Sequence, residues 1–510
     1  MNDSAASAGP TSQQQNPPPD PGHTAPAMSG GGLIAVLAVF VVLRLALHLF
    51  APPVDDEAYY WLWGQHPALA YYDHPGLNAW LLGLASVLGW NTLALRLFPL
   101  LTTLATLAIF AWWARRLAGP DWRGYLLAAA AIWLASPIMF SFAGLAFPDH
   151  LLIFLGLAAI HLFVLFFEGY EEADGAGRPR PWLLYGAMAA LGLAGLAKYT
   201  AVLIALAVVA VIVMRPRLRR LLTSPHLYLA ALLCLAIQTP TLAWNLAHGF
   251  PGFQFHFARL GGAFGDGSLP GAARFLIGAA VSLSPALIPA LIALLRSPPR
   301  DPAAAILRTL ALTLFCLSSA VFFYESLRVT VFNYWNILAY VALFPLMPLY
   351  LKRPFFLPHL VYGAAFAAMY LANYAVAPIT PLASGGDIES AAVFGWREVA
   401  QRVATEQTRR GAGFVAGTYY QTSAKLGFAL HDADVACIGT VTCHQFDLWR
   451  DPSRAGRSAI VLDLDEAPLP PGVTESFDRL DLIGTIPIER LGRTIATYRL
   501  YLGAGYHPPH

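Results

Sequence analysis

The sequence predicts a polytopic α-helical membrane protein of about eleven transmembrane helices, followed by a small α/β domain. Three observations predict it. Hydrophobic residues make up 57% of the chain and charged residues 12%, where a soluble globular chain carries roughly 25% charged residues. Long apolar runs recur from residue 32 to residue 377, and mean hydropathy is +0.54. After residue 378 the pattern changes to amphipathic and strand-like segments. The net charge of +2, with no basic run, excludes binding to a nucleic-acid backbone.

Residues 1–31 are rich in Pro, Gln, Ser and Gly and lack Lys and Arg, so they read as a disordered tail. A cleaved leader needs a basic segment before its apolar core. Leu33–Ala51 is therefore expected to be a retained anchor. Spans are expected near 32–52, 92–113, 124–142, 149–167, 182–197, 199–214, 226–246, 271–295, 306–323, 335–350 and 358–377. The loops on one side hold Arg115, Arg116, Arg123, Arg178, Arg180, Arg215, Arg217, Arg219, Arg220, Arg296, Arg300, Arg308, Lys352 and Arg353. The opposite loops hold Lys198, Arg259 and Arg328. Lys and Arg concentrate on the cytoplasmic side, so the amino terminus is expected inside, with loop 53–91 and residues 378–510 outside.

In that outer region Trp396–Thr408 and Tyr420–Leu430 read as helices. Gly413–Gly417, Val435–Ile438 and Ala459–Leu464 read as strands, and Leu482–Ile488 with Thr494–Leu502 as a hairpin. Cys234 and Cys316 lie in apolar runs and read as packing residues. Cys437 and Cys443 can pair only outside the cytoplasm, and their spacing fits two free thiols equally well.

The chemistry concentrates in the first outer loop. Asp55, Asp56, Glu57 and Asp73, with His66 and His74, sit among Tyr59, Tyr60, Trp61, Trp63, Tyr71 and Tyr72, and the loop has no Lys or Arg. Acids are costly beside a bilayer and rare there unless they work. The competing reading is an interfacial aromatic belt with solvated acids. Asp149, after Pro148, falls at a helix start on the same face, where a carboxylate also suits an N-cap. Cations are scarce on this face. Lys198, Arg259 and Arg328 read either as side chains snorkelling to the headgroups or as a phosphate-gripping cluster. Arg44 and His48, inside the first span, are expected to pair with another helix.

Several pieces in order carry a resemblance. Asp56-Glu57-Ala58-Tyr59-Tyr60 with Tyr71-Tyr72-Asp73-His74-Pro75 is similar to the first outer loop of the C-type glycosyltransferases. The closer match is the bacterial branch of protein O-mannosyltransferases and of the aminoarabinose transferase that modifies lipid A. Phe147-Pro148-Asp149, Gly195–Tyr199, Trp244–Phe250, Asn333–Tyr340, Tyr420-Gln421 with Leu426–Phe428, and Gln445–Trp449 follow in the matching order.

The resemblance implies a fold and a reaction. A sugar carried on polyprenyl phosphate moves, outside the bacterial cytoplasmic membrane, to a hydroxyl of a lipid, glycan or protein, with inversion. Asp56 matches the carboxylate that activates the acceptor, and Asp149 a second acid that orients acceptor or sugar. Arg259 and Tyr334 match the phosphate-binding Arg and Tyr. Glu57, Tyr60, Asp73, His74, Lys198 and Arg328 complete the expected substrate-binding set. One departure stands out: the aminoarabinose enzyme has a Lys before Pro-Pro in this loop, where this chain has His74-Pro75-Gly76. A neutral His brings no full charge, so phosphate binding shifts towards Lys198, Arg259 or Arg328.

The chemistry needs one base. A glycosidase requires an acid because an alcohol leaves poorly. A lipid phosphate leaves as a stabilised anion, so a base at the acceptor and cations at the phosphate suffice. No cofactor is required; a divalent ion on Asp73 with His248 or His256 is left open. The rival function is a flippase for a lipid-linked sugar, which would carry inverted repeats with broken helices. No repeat is apparent.

Overall fold

A computed structural model describes residues 28–172, 180–260, 269–379, 388–439, 443–465, 468–470 and 472–508; the side chains of 172, 259–260 and 388–389 fall outside that set. So do most of the expected amino-terminal tail and the Arg259 side chain. The apolar runs are mainly helical. Gly30–Phe50, Leu97–Leu134, Pro148–Glu171, Pro302–Ser326 and Arg353–Val376 are long and apolar enough to cross a membrane. Two bent pairs raise the number to 7: Pro225–Ile237 with Thr239–Ala247, bent by 47°, and Leu269–Leu283 with Pro285–Arg296, bent by 82°. Proline explains the breaks. Pro240 and Pro285 stand at the breaks, and Pro345 and Pro348 divide 338–350 into short turns. A proline removes a helical hydrogen bond and collides with the preceding turn. Pro181–Ala197 and Tyr199–Met214 are shorter apolar helices, and the chain is extended at Lys198 between them. Leu97–Ala118 and Trp122–Leu134 fold back on each other about Gly119, which brings Phe110 and Trp133 ring to ring at 6.0 Å.

Arg44 meets its expected partner helix by donating to the carbonyls of Met139 (3.4 Å) and Phe140. His48 binds the Arg44 carbonyl at 2.8 Å.

The first loop is itself helical. Asp55–Gln65 and Leu77–Ala85 cross at Gly64 and Gly83, where a Cβ on Gly64 would lie 2.5 Å from the Gly83 nitrogen. Only glycine permits that backbone approach, and it fixes the angle of the acidic helix.

Near the carboxy end lies a mixed sheet of five strands: β1 (Phe414–Gly417), β2 (Ala436–Cys437), β3 (Ala459–Leu464), β4 (Phe477–Arg490) and β5 (Arg493–Tyr506). Its order is β2-β1-β3-β5-β4, with β1 parallel to β2 and β3 and the remaining pairs antiparallel. Helices Trp396–Arg410 and Tyr420–Leu430 pack on it. The hairpin is longer than predicted; it turns at Leu491-Gly492, both at positive φ, as a tight hairpin requires. Cys437 and Cys443 form a disulfide with Cα atoms 5.5 Å apart.

The first-loop helix and this carboxy-terminal unit share one buried core. Tyr59, Trp61, Leu62 and Trp63 lie in it with Ala424, Cys437, Cys443 and Phe446. Lys425 forms an ion pair with Asp55 and donates to the Ala392 carbonyl at 2.7 Å.

Candidate active site

Asp56 occupies the first turn of Asp55–Gln65, where the free N–H groups of a helix start favour a carboxylate. It is half-buried. The Tyr420 hydroxyl points to its Oδ1 at 3.4 Å, across from the carboxy-terminal unit. Tyr59 lies one turn on and meets the Tyr420 ring at 4.6 Å; Tyr60 and Trp63 follow at 4.9 Å from each other. Burial, and then the negative charges of Asp56 and Asp73, push the Tyr60 and Tyr420 phenols well above their ordinary range. Both therefore keep their protons, and Tyr420 donates its own to Asp56. The predicted aromatic face exists, but it is not an open wall. Tyr59, Tyr60 and Trp63 are almost fully buried, and Tyr420 covers part of the face.

Glu57 has a different place from the one expected. It is 0% exposed, and its carboxylate is held by Arg96 at 2.8 and 2.5 Å and by the Val54 and Ala146 N–H groups at 3.2 and 2.9 Å. Arg96 also donates to the carbonyls of Leu47 and Ala51 at 2.9 Å and of Pro52 at 3.2 Å. One guanidinium thus closes the end of Gly30–Phe50 and clamps the start of the acidic helix. Glu57 sets the position of Asp56 and does not face a substrate. Sequence reading missed Arg96, which sits at the edge of an expected span. The signal was there: a buried acid beside a bilayer needs a cation, and loop 53–91 has none.

The other end of the site is built on a buried ion pair. Asp149 starts helix Pro148–Glu172 and is gripped by Lys198 Nζ at 2.8 and 2.9 Å; both residues are buried. The Lys198 ammonium lies 5.1 Å from the centre of the Tyr334 ring. Tyr334 stacks on Phe142 at 4.3 Å and meets Phe147 at 6.3 Å, and Phe147 meets Tyr60 at 5.8 Å. A continuous run of rings therefore links Lys198 to the Asp56 helix.

Asp73 and His74 lie between the two ends. The His74 ring is 5.7 Å from Tyr60 and 6.4 Å from His256, whose Nε2 contacts the Asp73 carbonyl at 3.1 Å. Arg328 is exposed, with its guanidinium over the Tyr324 ring at 4.9 Å. Arg259 lies in helix Pro251–Leu260, which also carries His256. Among the described residues, no three His, Cys, Asp or Glu side chains converge as a metal set. His248 stacks on Trp244 at 4.4 Å, and its Nδ1 contacts the Trp244 carbonyl.

The chain has known counterparts. Residues 73–244 match the family model described as dolichyl-phosphate-mannose-protein mannosyltransferase. The lipid A galacturonosyltransferase RgtD of Rhizobium johnstonii is 25% identical over 418 residues, which cover 79% of this chain and 83% of that protein. The crystal structure of ArnT from Cupriavidus metallidurans bound to undecaprenyl phosphate has the same fold, with a TM-score of 0.64 at 16% identity over 95% of this chain and 100% of that one. Its apo form gives 0.60 at 15% identity, over 94% and 99%. The fold of the chain is that of the ArnT structures. Residues 73–244 are similar to the mannosyltransferase family, and most of the chain is similar to RgtD.

Proposed function

We propose that this chain is an inverting glycosyltransferase of the bacterial inner membrane. It takes a sugar from a polyprenyl-phosphate donor and passes it to a hydroxyl acceptor at the outer face, where loop 53–91 and residues 378–510 lie. Asp56 takes the acceptor proton as its oxygen attacks the anomeric carbon. The bond to the lipid phosphate breaks from the opposite side, and the phosphate departs as an anion beside Lys198 and Tyr334, aided by Arg259. Asp149 holds the Lys198 ammonium in place. The observation that carries this reading is the division of the site. A half-buried carboxylate among protonated phenols stands at one end, and a buried cation at the other. A base near the acceptor and a cation near the leaving group are what transfer from a phosphate needs.

The match to RgtD supports a lipid A-like acceptor. The charge bias of the loops supports the outward orientation. The test is direct. Purified protein receives undecaprenyl-phosphate sugars and lipid A, and the products are read by mass spectrometry. Transfer appears as a hexose, uronic acid or aminopentose added to the acceptor. Binding of the donor without any product across that panel would favour the flippase instead.

A further inference from the structure

The carboxy-terminal unit does more than cover the first loop. Gln445, 2% exposed, holds both arms of that loop at once. Its backbone N–H donates to Tyr59 Oη at 2.9 Å, and its side-chain Oε1 accepts from the Tyr72 N–H at 2.7 Å. His444, just before it, lies between the Tyr420 ring at 4.6 Å and the Tyr72 ring at 5.2 Å, near-parallel to both. The same Tyr420 carries the hydroxyl aimed at Asp56.

His444 adopts φ 51° and ψ −114°, a combination that a residue with a Cβ rarely holds unless its neighbours impose it. Both neighbours are fixed. Cys443 is bonded to Cys437, which pairs with β1 through the edge strand β2, and Gln445 is tied to the loop. The strained residue is thus pinned between a covalent anchor and two hydrogen bonds. Its ring is what steadies Tyr420.

We propose that His444 and Gln445, anchored by the Cys437–Cys443 bridge, are positioning residues for the acceptor half of the site. They keep Tyr59, Tyr72 and Tyr420 in register with Asp56, so acceptor recognition depends on a disulfide in the carboxy-terminal unit. The inference rests on the reading of Asp56 as the base. Lys198 is held by Asp149 and lies against the Tyr334 ring, so donor binding is expected to be independent of the bridge.

The experiment compares full-length Gln445→Met, the double variant Cys437→Ser/Cys443→Ser, and all three changes together. Each of the first two should lower kcat/KM for the acceptor about tenfold, the scale of one well-placed hydrogen bond. KM for the donor should stay at the wild-type value. The combined variant should be no worse than either alone, because residues of one element do not add. Unchanged acceptor kinetics, or donor and acceptor parameters falling together with the folded fraction, would overturn the proposal. Amide hydrogen exchange over residues 56–72 reads the same clasp without turnover. It should speed up in both variants, and wild-type protection there would overturn the proposal even if the protein transferred no sugar. Absence of transfer by the wild type would instead count against the proposed function.

Discussion

Two acids at the two ends of the site have opposite surroundings. Asp149 is buried and gripped by Lys198 through both carboxylate oxygens. Asp56 is half-buried and accepts a hydrogen bond from the Tyr420 hydroxyl at 3.4 Å. A carboxylate whose lone pairs are taken by a buried ammonium is a poor proton acceptor and a good scaffold. One that is half-buried beside a phenol can still take a proton. Glu57 sharpens the contrast, since it is Asp56's neighbour in the chain and yet is fully consumed by Arg96 and backbone N–H groups. A single step along a helix turns a side chain by about 100°. Here that rotation separates an acid buried against Arg96 from one that is half-buried beside Tyr420.

The contrast can be broken at several points. The largest effect is expected at Arg96. Arg96→Met leaves Glu57 buried without its cation and removes the guanidinium's hydrogen bonds to the Leu47, Ala51 and Pro52 carbonyls, and breaking a buried pair costs about 3–5 kcal/mol. The thermal midpoint of purified protein should fall sharply, with little folded material recovered. A stable, active Arg96→Met would remove Glu57 from the structural class. Next is Lys198. Lys198→Met should weaken donor binding by about 1.5–3 kcal/mol, the worth of a charged hydrogen bond, as read by titration with a lipid-phosphate sugar. Unchanged affinity would make the Lys198–Asp149 pair purely structural. The smallest effect is at Tyr334. Tyr334→Leu removes the ring beneath the ammonium and should cost about 0.5–2 kcal/mol in the same titration. Tyr334→Phe keeps the ring, so any further loss there measures the hydroxyl alone.

Much of this was legible in the sequence. Apolar runs became helices because their length and hydropathy leave few alternatives. Tyr420–Leu430 and Ala459–Leu464 formed at the residues their patterns predict. The pairing of Arg44 with another helix followed from the cost of an arginine in a span. Other features were not legible, for physical reasons. Helices broken at Pro240 and Pro285 look continuous to a hydropathy window, so the bends of 47° and 82° were not foreseen. Glu57 and Asp56 cannot be told apart by type or spacing; only the approach of Arg96, 39 residues away in the chain, separates them. The meeting of Tyr420, His444 and Gln445 with Tyr59 and Tyr72 joins segments more than 300 residues apart, and no local pattern encodes it.

The claim at the centre is that Asp56, and neither Glu57 nor Asp149, takes the acceptor proton. Asp56→Asn keeps the size of the side chain and removes its basicity. In a single-turnover assay on donor-loaded protein, transfer should fall by about 10²–10⁴-fold, as for loss of a general base, while the donor still binds at wild-type affinity. Transfer at a near-normal rate by Asp56→Asn would contradict the account.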